Sequence, residues 1–164
     1  MTLGNEPLAA FGPAREGDTD ALIAIDRLSP TPWTRQAFEA ELRGEARTTF
    51  VLRLSGQVVA FVVTRTQSAE MDIVNLAVDP EHRRRGLGHL LARSVVERAA
   101  REGVQTVFLE VRESNQPARK LYEDLGFKET QRRRGFYAAP VEDAILMSLQ
   151  IEPSAWLKGS RNAC

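Results

Sequence analysis

Between Met71 and Val111 the sequence reads strand, loop, helix, strand, and the loop constrains the fold most. Met71–Val78 reads as a strand that stops at Asp79-Pro80, a pair that favours extended backbone and then a turn. Arg83-Arg84-Arg85-Gly86-Leu87-Gly88 lies in the basic stretch that follows, His82–Gly88. From about Gly88 to Glu102, Leu87, Leu91, Val95 and Ala99 recur at helical spacing, and Gly103 is a stop signal. Thr106–Val111 then reads as a strand. Glycines in such a loop let backbone approach a ligand closely. The first N–H groups of the helix have no intrahelical acceptor, and the helix dipole is positive there. Together they suit an anion such as pyrophosphate, and the arginines can pair with further phosphates. The spacing is neither Gly-x-Gly-x-x-Gly nor Gly-x-x-x-x-Gly-Lys-Ser/Thr, so a dinucleotide fold and a nucleotide-triphosphate loop are disfavoured. By itself, the loop fits a solvated basic turn capping a helix equally well.

The flanking elements point to a mixed α/β single domain. Asp18 or Thr19 caps a helix over about 19–28, and Ser29-Pro30-Thr31-Pro32-Trp33 forms a stiff loop. Thr34 caps a helix over about 35–43, ended by Gly44. Thr48–Leu54 and Gln57–Arg65 flank the Ser55-Gly56 turn signal, consistent with a hairpin, and a short strand is expected near Phe11. Ser114 or Asn115 caps a helix with Pro117 in its first turn, ending at Leu125-Gly126. Phe127–Arg134 and Ala144–Ile151 read as final strands, with a loop from Arg134 to Val141. The polar tail from Glu152, 152–164, is expected to be loosely ordered, and residues 1–10 to form a flexible start to a domain over 11–151.

Composition removes several classes. The chain has 164 residues, about one domain's worth. Lys+Arg and Asp+Glu are both 22, so the net charge is zero, which argues against attachment to nucleic acid or anionic lipid by bulk charge. The one cysteine, Cys164, allows neither an internal disulfide nor a Cys-rich zinc site, and no metal is expected. No apolar run approaches the roughly 20 residues that span a bilayer, and Met1–Ala10 lacks the pattern of a signal peptide. A cytoplasmic location is the expectation.

The loop is part of an ordered series. Asn75-Leu76-Ala77-Val78-Asp79-Pro80 precedes it; Leu109-Glu110-Val111-Arg112, Asn115 and Leu121-Tyr122-Glu123-Asp124-Leu125-Gly126-Phe127 follow. This series resembles the GNAT superfamily of acetyl-CoA-dependent N-acetyltransferases, and Arg-x-x-Gly-x-Gly is that superfamily's pyrophosphate motif. Pro32-Trp33 and Glu142-Asp143-Ala144-Ile145-Leu146-Met147 extend the likeness to members that acetylate the N-terminal α-amine of a ribosomal protein, from about Phe11 to Leu149. The resemblance implies a single-domain GNAT fold: a mixed, mostly antiparallel sheet splayed between its fourth and fifth strands, with about four flanking helices. Acetyl-CoA would enter the splay as cosubstrate. The main chain of Leu76, Ala77 and Val78 would hold its pantetheine arm. Backbone N–H groups of Arg84, Arg85, Gly86, Leu87, Gly88 and His89 would hold the pyrophosphate, and the Asn115 side chain would contact the cofactor. For Leu76 and Val78, plain core packing is the competing reading, and the His89 side chain is expected to do no chemistry.

The implied reaction is direct acetyl transfer in a ternary complex, with ribosomal protein S18 as the expected acceptor. A peptide α-amine, with a pKa of about 7.7–8.0, is roughly one-tenth neutral at pH 7, so a positioned carboxylate has a modest task. The resemblance places Glu110 there as base; otherwise Glu110 is a strand-edge carboxylate paired with an arginine such as Arg112. A main-chain N–H near Val78 is the expected donor to the oxyanion. Tyr122 matches the acid that protonates the leaving thiolate, or else packs a helix against the sheet. On the acceptor side, Trp33 forms an apolar wall or plugs the core. Tyr137, in the final loop, is a candidate for peptide binding, beside Phe136 where relatives often carry a tyrosine. Glu142 or Asp143 attracts a basic peptide or merely solvates a strand start. Arg132-Arg133-Arg134 most simply forms a solvated face. Competing functions are acetylation of a small amine or of lysines, a non-catalytic acyl-CoA-binding domain, and a nucleic-acid module using the two arginine runs. No direct nucleic-acid or membrane partner is expected, and the chain is expected to be a monomer or weak oligomer.

Overall fold

Helix ends and turns follow the local chemistry closely. A computed structural model gives the structure of residues 8–44 and 48–158. Its elements are β1 (Ala10–Pro13), α1 (Thr19–Asp26), α2 (Arg35–Arg43), β2 (Thr49–Leu54), β3 (Gln57–Gln67), β4 (Glu70–Val78), α3 (Leu87–Arg101), β5 (Thr106–Arg112), α4 (Gln116–Asp124), β6 (Lys128–Ala138), β7 (Val141–Gln150) and α5 (Pro153–Lys158). The Thr34 hydroxyl accepts from the Ala37 N–H and starts α2. Asn115 Oδ1 accepts from the Ala118 N–H at 3.2 Å and starts α4. At the other end of α4, Gly126 N–H bonds Glu123 O and Phe127 N–H bonds Tyr122 O, the paired bonds of a Schellman stop.

The strands form one seven-stranded sheet in the order β1-β2-β3-β4-β5-β7-β6. The β4·β5 pair is parallel, with register Glu70↔Thr106 to Ile73↔Leu109. The β1·β2, β2·β3, β5·β7 and β6·β7 pairs are antiparallel. The four-residue parallel ladder ends while β4 has Val74–Val78 still to run and β5 has Glu110–Arg112.

The chain divides into two compact units, one reaching to Val63 and resuming over Asn75–Leu91, the other made of Thr64–Val74 and the chain from Ala92 onward. In the first, Leu22, Ile25, Phe38, Val51, Phe61 and Val63 form a buried cluster. Phe38 meets Phe61 edge to face, ring centroids 5.5 Å apart. The Asp18 carboxylate takes a bidentate bond from Arg53, at 2.9 and 2.7 Å. In the second, Met71, Val95, Val107, Leu109, Ile145 and Met147 are buried. The expected apolar face of α3 is correct: Leu87, Leu91, Val95 and Ala99 are all buried.

Two expectations need correction. The loop placed at Arg134–Val141 is mostly strand: β6 runs to Ala138 and β7 begins at Val141. The polar exterior of β6 hid its length, because every residue except Tyr137 is exposed, so no apolar alternation marks it. The tail contains a helix, α5, in which the Ala155 N–H bonds Glu152 O at 2.9 Å and Pro153 occupies the first position. The flexible start expected over 1–10 lies outside the described residues as far as Pro7, and so does the tail from Gly159 to Cys164.

Two stability predictions follow. Thr49 is buried and its hydroxyl has no hydrogen-bond partner among the described residues. Thr49→Val should raise the unfolding free energy by about 1 kcal/mol, because an unsatisfied hydroxyl leaves the core; an unchanged urea midpoint would show that the hydroxyl costs nothing. For Asp18, burial pushes the carboxyl up, but the hydrogen bonds from Arg53 and the Arg15 N–H, with their charges, outweigh it and hold it below its ordinary value. A folded value below the unfolded one stabilises above the unfolded pKa of about 3.9, and that stabilisation is lost as pH falls through the folded value. The advantage of the native protein over Asp18→Asn should therefore be constant above about pH 5 and shrink below about pH 4 in denaturation titrations.

Candidate active site

The basic loop is built from the end of β4 outward. Asp79 caps a 3-10 turn, accepting from the Glu81 N–H, and its other oxygen lies 3.1 Å from His82 Nδ1. Arg83 Nε donates to Val78 O at 3.1 Å. Arg84 and Gly86 both take positive φ, +63° and +75°, a geometry that suits glycine at Gly86 and is forced on Arg84. The Leu90 N–H bonds Gly86 O at 3.0 Å, the first bond of α3. The N–H groups of Leu87, Gly88 and His89 are thus the ones without an intrahelical acceptor. Arg84 and Arg85 are exposed and meet no carboxylate among the described residues. The segment therefore offers main-chain donors, a helix N-terminus and two cations to an anion. Leu76, Ala77 and Val78 are half-buried, and Ala77 packs on the first unit's core. The Val78 carbonyl, among the main-chain groups expected to hold the pantetheine arm, accepts from Arg83, whose side chain folds back across the turn.

Trp33 lies half-buried against the same core, its ring 5.4 Å from Phe38. The Trp33 main-chain N–H donates to the carboxylate of Asp26 at 2.7 Å, and Asn75 Nδ2 donates to the other Asp26 oxygen at 3.2 Å. Asp26 is 1% exposed; its two bonds tie the 27–34 loop to β4. Core packing is therefore a real role of Trp33. Asp26 escaped the sequence reading because its partners are 7 and 49 residues away.

Glu110, Arg112, Asn115, Tyr122 and Tyr137 belong to the other unit. Glu110 is on β5, and its carboxylate lies 3.4 Å from Arg133 Nη1, not beside Arg112. Arg112 pairs with Glu142 at 2.9 Å, with the two side chains only 13% and 14% exposed. Its guanidinium carbon stands 4.0 Å from the centre of the Tyr137 ring. Glu142 also accepts from the Ser114 N–H at 3.1 Å. The Arg112 hydrogen bond, then Ser114, holds the Glu142 carboxyl below the usual carboxylate range. Asp143 accepts from the Gly135 N–H at 2.9 Å and faces Arg132 at 3.4 Å. Both acids are thus committed to partners within this unit. Tyr137 sits in β6, half-buried, and burial, then the Glu110 charge, raises its phenol.

Tyr122 is buried on α4, its ring edge-on to Phe127 at 5.4 Å. Its hydroxyl has no hydrogen-bond partner among the described residues, yet it is not one of the buried orphaned atoms. Burial pushes this phenol up, so it stays protonated through the neutral range. Asn115 is exposed, and its Oδ1 is spent on the cap of α4. Among the described residues no cluster of His, Cys, Asp and Glu could hold a metal, and no helix is long and apolar enough to cross a membrane.

Comparison with known proteins gives this geometry its context. Residues 19–127 match the acetyltransferase (GNAT) family. The chain is 41% identical over 122 residues to the [ribosomal protein bS18]-alanine N-acetyltransferase of Escherichia coli K12, covering 73% of this chain and 82% of the relative. The crystal structure of the ribosomal-protein-S18-alanine N-acetyltransferase from E. coli superposes with a TM-score of 0.82 at 35% identity, over 88% of this chain and 95% of the other. That of Ard1 from Thermoplasma volcanium superposes with a TM-score of 0.81 at 25% identity, over 88% and 98%. A motif series in this order, on a seven-stranded sheet parallel between β4 and β5, matched over two-thirds of its length, makes this chain a member of the GNAT acetyltransferase family.

Proposed function

We propose that this protein transfers the acetyl group of acetyl-CoA to the N-terminal α-amine of a protein, with ribosomal protein bS18 as the acceptor, as RimI-type enzymes do. The observation that carries the reading is the 41% identity to the E. coli bS18-alanine N-acetyltransferase over 82% of that enzyme. Glu110 and Tyr122, a carboxylate and a protonated phenol, fit the acid–base work this reaction needs.

GNAT acetyltransferases use acetyl-CoA, which supplies the acetyl group as a thioester. The residues at the start of α3 fit its pyrophosphate: three N–H groups with no intrahelical acceptor, a positive helix end and two arginines that meet no carboxylate among the described residues. Asn115 stands at the head of α4, with its Oδ1 on the cap and its amide hydrogens free for the cofactor. Glu110 accepts the proton that the acceptor ammonium must lose, directly or through water. A main-chain N–H near Val78 is the donor to charge developing on the acetyl oxygen. Tyr122, protonated at neutral pH, is the proton donor to the departing sulfur. For the acceptor peptide, Tyr137 is the candidate contact in one unit and Trp33 the candidate in the other. A small-amine or lysine acceptor is the alternative.

The decisive assay incubates the protein and acetyl-CoA with a peptide copying the N-terminus of S18, beside an α-blocked copy. Mass spectrometry should find one acetyl on the free peptide alone; acetylation of small amines but not of the peptide would replace this reading. Glu110→Gln should lower kcat/KM by about tenfold or more, most strongly below neutral pH where the amine is most protonated; a loss uniform across pH would remove its role as base. Tyr122→Phe should lower kcat by about 100-fold with little change in acetyl-CoA affinity; unchanged turnover would remove its role as acid.

A further inference from the structure

One face of the β5–β7–β6 sheet carries a layered contact that no part of the mechanism yet uses. In register, Arg112 pairs with Ala144, and Tyr137 pairs with Glu142. Glu110, Arg112, Glu142 and Tyr137 therefore share a face, because residues two apart on a strand point the same way. Arg112 and Glu142 are diagonal neighbours across β5 and β7, and they form the 2.9 Å ion pair. The Arg112 guanidinium then stands 4.0 Å from the Tyr137 ring centre. Arg112 is held by the carboxylate and its guanidinium stands over the ring.

Tyr137 occupies this position because β6 bulges. Arg133 pairs with Ala144 and Tyr137 with Glu142, so residues 134–136 face Asp143 alone. Regular pairing would set Gly135 opposite Glu142; two extra residues preserve the alternation and deliver a tyrosine instead. The bulge is built for it. Gly135 has φ +58°, open to glycine, and its N–H is held by Asp143 at 2.9 Å. Phe136 stays half-exposed, edge-on to Tyr137 at 5.2 Å.

We propose that Arg112 is a positioning residue for the acceptor: clamped by Glu142 beneath the Tyr137 ring, its planar guanidinium fixes the phenol on the face that carries Glu110. The inference rests on the acceptor role of Tyr137 proposed above. It assigns Arg112 a task that depends on shape as well as charge. Lysine would keep the ion pair with Glu142 but lose the flat surface under the ring. Glu142 extends the clamp, since its second oxygen holds Ser114, the residue before the Asn115 cap.

The test is steady-state kinetics of the full chain with the S18 peptide and acetyl-CoA, for the native protein, Arg112→Lys, Tyr137→Ala and the double variant. Arg112→Lys should raise the peptide KM about 3- to 10-fold, with kcat and the acetyl-CoA KM within about twofold. In the Tyr137→Ala background the same change should move the peptide KM by less than about twofold, because its target is gone. Glu142→Gln, which frees the guanidinium, should raise the peptide KM in the same direction and gives a second route if Arg112→Lys melts early. A raised peptide KM in Tyr137→Ala with none in Arg112→Lys, or effects that multiply in the double variant, would overturn the positioning role alone. A native protein that acetylates no peptide would overturn the proposed function, and this inference with it.

Discussion

The parallel pairing of β4 with β5 is the constraint on which the rest depends. Parallel neighbours cannot be joined by a tight turn; the chain must cross back over the sheet, usually as a helix. Here the crossing is the 3-10 turn, the arginine–glycine loop and α3. The start of α3 is thereby delivered a few residues after β4 ends, carrying three N–H groups with no intrahelical acceptor. An anion-binding end is thus a consequence of the topology, and the loop sequence only tunes it. Positive φ at Gly86 and at Arg84 sets the angle at which the chain enters the helix. The ladder's stop at Ile73↔Leu109 leaves the later residues of β4 outside that pairing, while β5 runs on to Glu110 and Arg112.

Charge is organised differently in the two arginine runs. Arg84 and Arg85 meet no carboxylate among the described residues. Arg132 is instead neutralised by Glu113 and Asp143, and Arg133 faces Glu110. With zero net charge overall, the second run offers little attraction to nucleic acid. The Arg112–Glu142 pair stands apart because both side chains are largely buried. Burying two charges costs much of what their attraction returns, so such a pair is weak evidence for stability and better evidence for a defined geometry. Its position beneath Tyr137 and against Ser114 is consistent with that role.

Much of the molecule was legible from the sequence. Thr34, Asn115, Gly103 and Gly126 end or begin their elements where local hydrogen-bonding rules place them, because caps act within three or four residues. The apolar face of α3 and the strands through Val78 and Val111 followed from periodicity, because each buries one side. The same logic failed for β6. It is a polar edge strand, exposed almost throughout, so Tyr137 seemed to belong to a loop. The partners of Glu110, Arg112, Asp26 and Glu142 were equally hidden, because each lies in another element or a distant turn.

The sequence by itself determined the order of elements, the glycine and arginine content of the loop before α3 and the residue types available for acid–base chemistry. These depend on backbone rules and side-chain chemistry that operate over short stretches of chain. The tertiary structure alone decided that Glu110 meets Arg133 and not Arg112, that a bulge sets Tyr137 opposite Glu142, and that Tyr122 is buried edge-on to Phe127. Strand register and burial set those outcomes, and both are properties of the assembled sheet.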